Sequence, residues 1–240
     1  MGKDVIIALD FDSREKTLSF LDRFTGEKPF VKIGMELFYA EGPQIVRDIR
    51  ARGHRIFLDL KLHDIPNTVK KAMASLSSLD VDIVNLHAAG TQAMMTAALE
   101  GLTRPDGTRP LLIAVTQLTS TDQERMEREL LIHEPIERVV LHYAENAAKA
   151  GLDGVVCSPR EAGIIHALCG ADFLTVTPGV RFADAASDDQ KRVTTPAEAQ
   201  KLGADYIVVG RPITQADDPV AAYAPVSYTH LRAHETAANL

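Results

Sequence analysis

Cysteine is scarce in this chain, with two residues, Cys157 and Cys169, among 240. Two isolated thiols give neither a framework of bridges nor a paired ligand set, which suits a reducing compartment. A basic excess is also missing: the formal net charge is -7, whereas nucleic-acid surfaces normally show as an excess of Lys and Arg. No apolar run approaches the roughly 20 residues that span a bilayer. The opening Met1-Gly2-Lys3-Asp4 lacks the basic, apolar and small-residue succession of a secretion signal. His54, His87, His133, His142 and His166 are scattered, with no H-x-H or HExxH spacing, so no metal site is expected. The first apolar run is not followed by the glycine fingerprint of a dinucleotide fold. Linkers, low-complexity tracts and close internal repeats are lacking too. These absences, with 45% hydrophobic and 25% charged residues, lead us to expect a soluble cytoplasmic protein of one main domain, with no nucleic-acid or membrane partner.

Short apolar runs recur at a steady interval, at residues 5–11, 30–35, 55–62, 82–87, 111–118, 154–157, 173–177 and 206–209. Between them, segments such as 17–24, 43–52, 69–79 and 137–150 carry apolar residues at spacings of three and four, which predicts helices. Gly151, Gly170 and Gly203 follow helical stretches, where a left-handed cap is expected. Eight strands alternating with helices predict parallel β/α units. At about 250 residues, eight such units make a closed (β/α)8 TIM barrel, with active-site residues at the C-terminal strand ends. An open doubly wound sheet is the rival architecture.

The polar residues fall where a barrel keeps its chemistry. In Phe57-Leu58-Asp59-Leu60-Lys61-Leu62-His63-Asp64, strand alternation puts the leucines on one face and Asp59 and Lys61 on the other. Asp64 lies in the following loop, Asp10 ends the first strand, and Lys32 takes the polar side of the second, between Val31 and Ile33. Lys32, Asp59, Lys61 and Asp64 would make a mixed-charge array, in which a lysine flanked by acids keeps its proton and serves as a donor to a developing carbanion. A structural ion pair at the barrel mouth is the plainer reading of Asp59 and Lys61, and helix capping that of Asp64. His63 borders the acid cluster in sequence but reads as a packing or solvent residue rather than a metal ligand, and Cys157 reads as a small buried residue.

Late in the chain, Pro178-Gly179-Val180-Arg181 and Gly210-Arg211 follow the seventh and eighth strands, where barrel enzymes often hold phosphate. Their glycines let backbone N–H groups approach an anion, and Arg211 can add a bidentate contact. Two ordinary turns are the alternative. The polar stretch 182–193, which includes Gln190, reads either as a loop that closes over a ligand or as a plain surface connection. Thr119, after the fifth strand, reads as a substrate contact or as the satisfied end of that strand.

These residues closely resemble the orotidine 5'-phosphate decarboxylase family. The likeness is carried by Ala8-Leu9-Asp10, Val31-Lys32-Ile33-Gly34, the string from Asp59 through Ile65-Pro66-Asn67-Thr68, Val115-Thr116-Gln117-Leu118-Thr119-Ser120, Thr177-Pro178-Gly179-Val180-Arg181 and Val209-Gly210-Arg211-Pro212-Ile213. It covers the chain from about residue 4 to residue 224. The resemblance implies decarboxylation of orotidine 5'-monophosphate to uridine 5'-monophosphate in pyrimidine synthesis, without metal or cofactor. It further implies that Lys61 protonates C6, with Lys32, Asp59 and Asp64 completing the array. Asp10 and Lys32 would contact the ribose, Thr119 the pyrimidine, and Pro178, Arg181, Gln190, Gly210 and Arg211 the phosphate region. A homodimer is implied as well, with Asp64 and Thr68 reaching into the neighbouring subunit's site. A magnesium-dependent sugar-phosphate decarboxylase or aldolase of the same superfamily would share Asp59, Lys61 and Asp64 but favour a carboxylate in place of Lys32. A noncatalytic phosphate-binding barrel is the other alternative.

Residues 226–240 depart from the family pattern. A final helix should begin near Pro219 and keep an apolar face, yet Ser227-Tyr228-Thr229-His230-Leu231-Arg232 offers few aliphatic positions. We therefore expect a catalytic domain over 1–225 and an atypical tail of cloning or misread origin, with a divergent helix as the alternative.

Overall fold

The runs rich in Val, Ile and Leu form eight parallel strands in the computed structural model, which describes residues 4–180 and 194–232, with side chains as far as Ser227. The strands are β1 (Asp4–Ala8), β2 (Phe30–Gly34), β3 (Ile56–Leu62), β4 (Ile83–His87), β5 (Leu111–Val115), β6 (Gly154–Val156), β7 (Leu174–Thr177) and β8 (Tyr206–Val209). Each pairs with the next, and β1 pairs with β8, so the sheet closes into a barrel and the open-sheet rival is discarded. Around it run α1 (Arg14–Asp22), α2 (Met35–Glu41), α3 (Pro43–Arg50), α4 (Pro66–Leu76), α5 (Thr91–Leu102), α6 (Gln123–Glu129), α7 (Ile136–Lys149), α8 (Pro159–Cys169), α9 (Pro196–Lys201), α10 (Arg211–Thr214) and α11 (Pro219–Arg232). Gly151, Gly170 and Gly203 have φ of 84°, 99° and 91°, the left-handed region expected after a helix. Among the described residues no helix is long and apolar enough to cross a membrane.

Period-two alternation sorts the strand residues into two separate cores. Val5, Ile7, Val31, Ile33, Ile56, Leu58 and Val84 face outward under the helices. Ile6, Phe30, Phe57, Ile83, Ile113, Val176 and Tyr206 fill the lumen. The lumen changes character along the first four strands: Phe57 is followed by Asp59 and Lys61, Ile83 by Asn85 and His87, Phe30 by Lys32, and Ile6 by Ala8 and Asp10. The lower lumen is thus a largely apolar plug, closed below by the buried Tyr206 ring and the Arg55 guanidinium over Phe30, and the alternating ionic groups lie toward the C-terminal mouth.

At the opposite end, one tie recurs before three strands. The Asp82 carboxylate accepts the N–H of Ile56 at 2.7 Å, Asp153 that of Leu112 at 2.7 Å, and Asp205 that of Thr175 at 2.8 Å. Each has a basic neighbour: Arg50 for Asp82, a forked Arg109 for Asp153, and His166 for Asp205. These ties join the starts of β3 to β4, β5 to β6 and β7 to β8, and such charge-assisted hydrogen bonds fix register at the closed end.

The last helix begins at Pro219 as expected, and its backbone continues to Arg232. Val226 and Ser227, the first tail residues, are buried.

Candidate active site

The site begins with a break in a strand ladder. β3 pairs with β4 at Leu58 opposite Val84 and next at Leu62 opposite Leu86, with a register shift between. Within this bulge Lys61 takes φ 50°, a left-handed backbone in a residue with a Cβ. That conformation costs on the order of 1–3 kcal/mol and persists only where the surroundings enforce it, commonly at functional sites. Leu58 and Leu60 are buried under the helices, and Asp59 and Lys61 face the lumen, as alternation predicted.

Four groups then form a continuous chain of alternating charge. The Asp10 carboxylate lies 3.4 Å from Lys32 Nζ, which lies 3.3 Å from Asp59 Oδ2, while Asp59 Oδ1 receives Lys61 Nζ at 2.5 Å. Asp59 is buried, with a side chain 10% exposed. Burial pushes its carboxyl up, but the Lys32 and Lys61 ammoniums and hydrogen bonds from Lys61 and Asn85 outweigh it, holding the group below the usual carboxylate range. Asp59 is therefore ionised at neutral pH. A buried carboxylate sandwiched between two ammoniums is electrically compensated, which an isolated buried charge would not be.

A cavity of about 210 Å³ opens on this chain, with Leu9, Asp10, Lys32, Gly34, Asp59 and Lys61 among its walls. A Cβ on Gly34 would stand 3.3 Å from Lys32 Nζ, so the glycine leaves room for the ammonium. Gly210, at the exit of β8, brings the late glycine turn beside the chain: a Cβ there would meet Asp10 Oδ2 at 3.6 Å. Arg211 is exposed at the start of α10, and Pro178 is half-buried after β7. Gly179 has φ 81°, and Val180 bridges to Thr194, so the two ends of segment 181–193 meet there. Arg181, Gln190 and the expected closing loop lie outside the described residues.

Not every expected residue joins the array within one chain. Asp64 is exposed, and its carboxylate accepts the neighbouring Ile65 N–H at 2.6 Å. It does not cap α4 either, because Ile65 holds the cap position with no side-chain bond. Thr68, in the first turn of α4, and Thr119, after β5, are exposed. His63 is exposed, with its ring 5.7 Å from that of half-buried His87, whose imidazole is held below its ordinary range by burial and by the nearby His63 and Lys61 charges. Among the described residues no group of three or more His, Cys, Asp or Glu side chains is placed to hold a metal ion.

One residue escaped the sequence reading. Asn85 is buried in the lumen, where Nδ2 donates to Asp59 Oδ1 at 2.7 Å and Oδ1 accepts the Lys61 N–H at 2.8 Å. Its signal was a lone amide in the apolar run 82–87, two positions past lumen-facing Ile83.

The family model described as "Orotidine 5'-phosphate decarboxylase / HUMPS family" matches residues 3–226. An orotidine 5'-phosphate decarboxylase of Geobacillus sp. (strain WCH70) is 57% identical over 226 residues, covering 93% of this chain and 95% of that protein. One from Bacillus caldolyticus is 56% identical over 231 residues, covering 95% of each. Among solved structures, orotidine 5'-phosphate decarboxylase from Lactobacillus acidophilus superposes with a TM-score of 0.84 at 40% identity, over 95% of this chain and 99% of that one. An uncharacterized conserved protein from Geobacillus kaustophilus gives the same TM-score, 0.84, at 50% identity, over 94% and 99% of the two chains.

Proposed function

The chain belongs to the orotidine 5'-phosphate decarboxylase / HUMPS family, and from that premise we propose how its residues carry out the reaction. It is a carboxy-lyase that converts orotidine 5'-monophosphate to uridine 5'-monophosphate in pyrimidine nucleotide synthesis. In the proposed mechanism the bond between C6 and the carboxyl carbon breaks, carbon dioxide leaves, and the electron pair remains on C6. Lys61 Nζ gives its proton to that carbon, and the neutral amine recovers one from solvent. The observation that carries this reading is the Lys61 ammonium set 2.5 Å from Asp59 inside the lumen, with Lys32 on the other carboxylate oxygen. Two cations held in place beside a developing carbanion stabilise it without having to reorganise, which is usually the largest single contribution to catalysis.

The rest of the nucleotide is assigned by the same reading. Asp10 and Lys32 take the ribose, Thr119 the pyrimidine, and Pro178, Arg181, Gln190, Gly210 and Arg211 the phosphate. Support comes from the closeness of Gly210 to Asp10, a residue of the cavity wall, as one nucleotide touching both would require. Binding the phosphoryl end orients the base over Lys61 and is better used there than on the reacting carbon. Asp64 and Thr68 would serve a partner subunit's site in a homodimer. Both are exposed, and Ile65 beside Asp64 is 67% exposed, an apolar group suited to cover by a second copy. A single-chain mass in sedimentation equilibrium would remove the shared-site assignment. A cytoplasmic location accords with the two free cysteines; recovery in an extracellular or periplasmic fraction would refute it.

The test of the reaction is the loss of orotidine 5'-monophosphate absorbance on adding purified protein, with and without a chelator. Turnover at equal rates in both samples is expected. No turnover refutes the assignment, and chelator-sensitive turnover refutes the metal-free mechanism.

A further inference from the structure

We propose that Asn85 is a positioning residue that locks Lys61 in its proton-donating pose, an inference that rests on the assignment of Lys61 as donor. Between the Leu58–Val84 and Leu62–Leu86 pairs, residues 59, 60 and 61 of β3 stand opposite Asn85 alone. The ladder cannot serve so long a bulge with backbone groups one for one, and the Asn85 side chain takes over. Its Oδ1 accepts the Lys61 N–H at 2.8 Å, where a strand neighbour would present a carbonyl. Its Nδ2 donates to Asp59 Oδ1 at 2.7 Å, the same oxygen that Lys61 Nζ touches. Lys61 is therefore held at both ends by one amide: directly at its backbone, and at its ammonium through Asp59.

The chemistry selects asparagine. A reversed amide would set oxygen against carboxylate and NH2 against N–H, so the two partners fix its orientation. Leucine has the shape and neither polar group. Aspartate accepts the Lys61 N–H but sets a second buried carboxylate against Asp59. Asn85 is 1% exposed and does not line the cavity, so it acts on the reacting atoms through Lys61 and Asp59. The left-handed backbone of Lys61 is the kind of conformation that needs such enforcement.

The test compares Asn85→Ala and Asn85→Asp with the parent across pH, with kcat counted per site titrated by uridine 5'-monophosphate. For Asn85→Ala we expect kcat to fall roughly 10- to 100-fold, with KM and nucleotide affinity within about threefold. Asn85→Asp should be weak at neutral pH and recover toward acid, because a protonated carboxyl offers one acceptor and one donor as the amide does. The groups around it (Asp59, Lys61, Lys32, His87 and His63) titrate in the parent as well, and the parent's profile is divided out. Asn85→Asp keeps the parent's shape and carries the test if truncation to alanine costs the fold. Parental kcat in Asn85→Ala overturns the proposal, as does a loss shared equally by nucleotide affinity, or an Asn85→Asp profile without acid-side recovery. Lys61→Ala run in parallel separates the two assignments. If it retains turnover, the donor assignment fails; if it is inactive while the Asn85 variants match the parent, only the positioning role fails.

Discussion

His54 is completely buried at the closed end of the barrel, with Nδ1 2.9 Å from the Pro29 carbonyl oxygen. A carbonyl only accepts, so Nδ1 carries the hydrogen, and Nε2 is left buried with no partner. Adding a proton there would create a buried charge with nowhere to donate, and burial accordingly holds the His54 imidazole below its ordinary range, as it does that of His87. The sign of the consequence is fixed. Both folded-state values lie below the unfolded one, so the stability they contribute is present above about pH 6.5 and is lost as pH falls toward the folded-state values, because the unfolded chain takes up protons first. Asp59, also depressed, extends the loss below about pH 4. Melting temperature should drop by roughly a few °C between pH 7.5 and 5.5, with a smaller drop in His54→Asn; a flat or rising profile would contradict this. At this scale Asp59, Lys61 and Lys32 were legible because period-two alternation alone puts them in the lumen. Asn85 was not, because its importance depends on a bulge in β3 that no local pattern announces. Asp64, Thr68 and Thr119 were legible as types, but within one chain they touch none of the array.

The helices and strands were read with uneven success, for identifiable reasons. All eight strands were visible because a parallel sheet buried on both faces needs continuous β-branched and aliphatic runs. Two were drawn too long. Leu9, Phe11 and Leu118 carry apolar character past the ends of β1 and β5, and Leu9 is fully buried, its N–H still bonded to the Lys32 carbonyl. Helix α6 gives almost no periodic signal in the sequence, because its seven residues bury one side chain, Met126. The close packing of α4 on α5 is not a pattern in either segment. It depends on Gly101 of α5, where a Cβ would stand 2.0 Å from the Lys70 carbonyl oxygen of α4. Alanine normally gains about 1 kcal/mol over glycine in a helix, but here the obstacle is backbone rather than a movable side chain. Overpacking of about 1–3 kcal/mol or more should therefore prevail. Gly101→Ala should lower the melting temperature; an increase would show that the two helices separate at little cost.

Across the whole molecule, one gradient organises the function. The lower lumen is sealed by Phe30, Phe57, Ile83 and Tyr206, the aspartate ties and the Asp4–Arg55 pair brace the closed end, and the chain from Asp10 through Lys32 and Asp59 to Lys61 sits at the mouth. A rigid plug below and a charged rim above place two lysines around one carboxylate without exposing them to bulk water on every side. Removing Lys61 still leaves Asp59 paired with Lys32 and hydrogen-bonded by Asn85, so a variant at position 61 should keep its fold and its nucleotide grip. That makes Lys61→Ala the most direct measurement: decarboxylation rate and uridine 5'-monophosphate affinity on the same folded sample. Turnover reduced to background with affinity nearly unchanged is the predicted result. Substantial turnover in that variant would contradict the assignment of Lys61 as the proton donor and, with it, the account of the site.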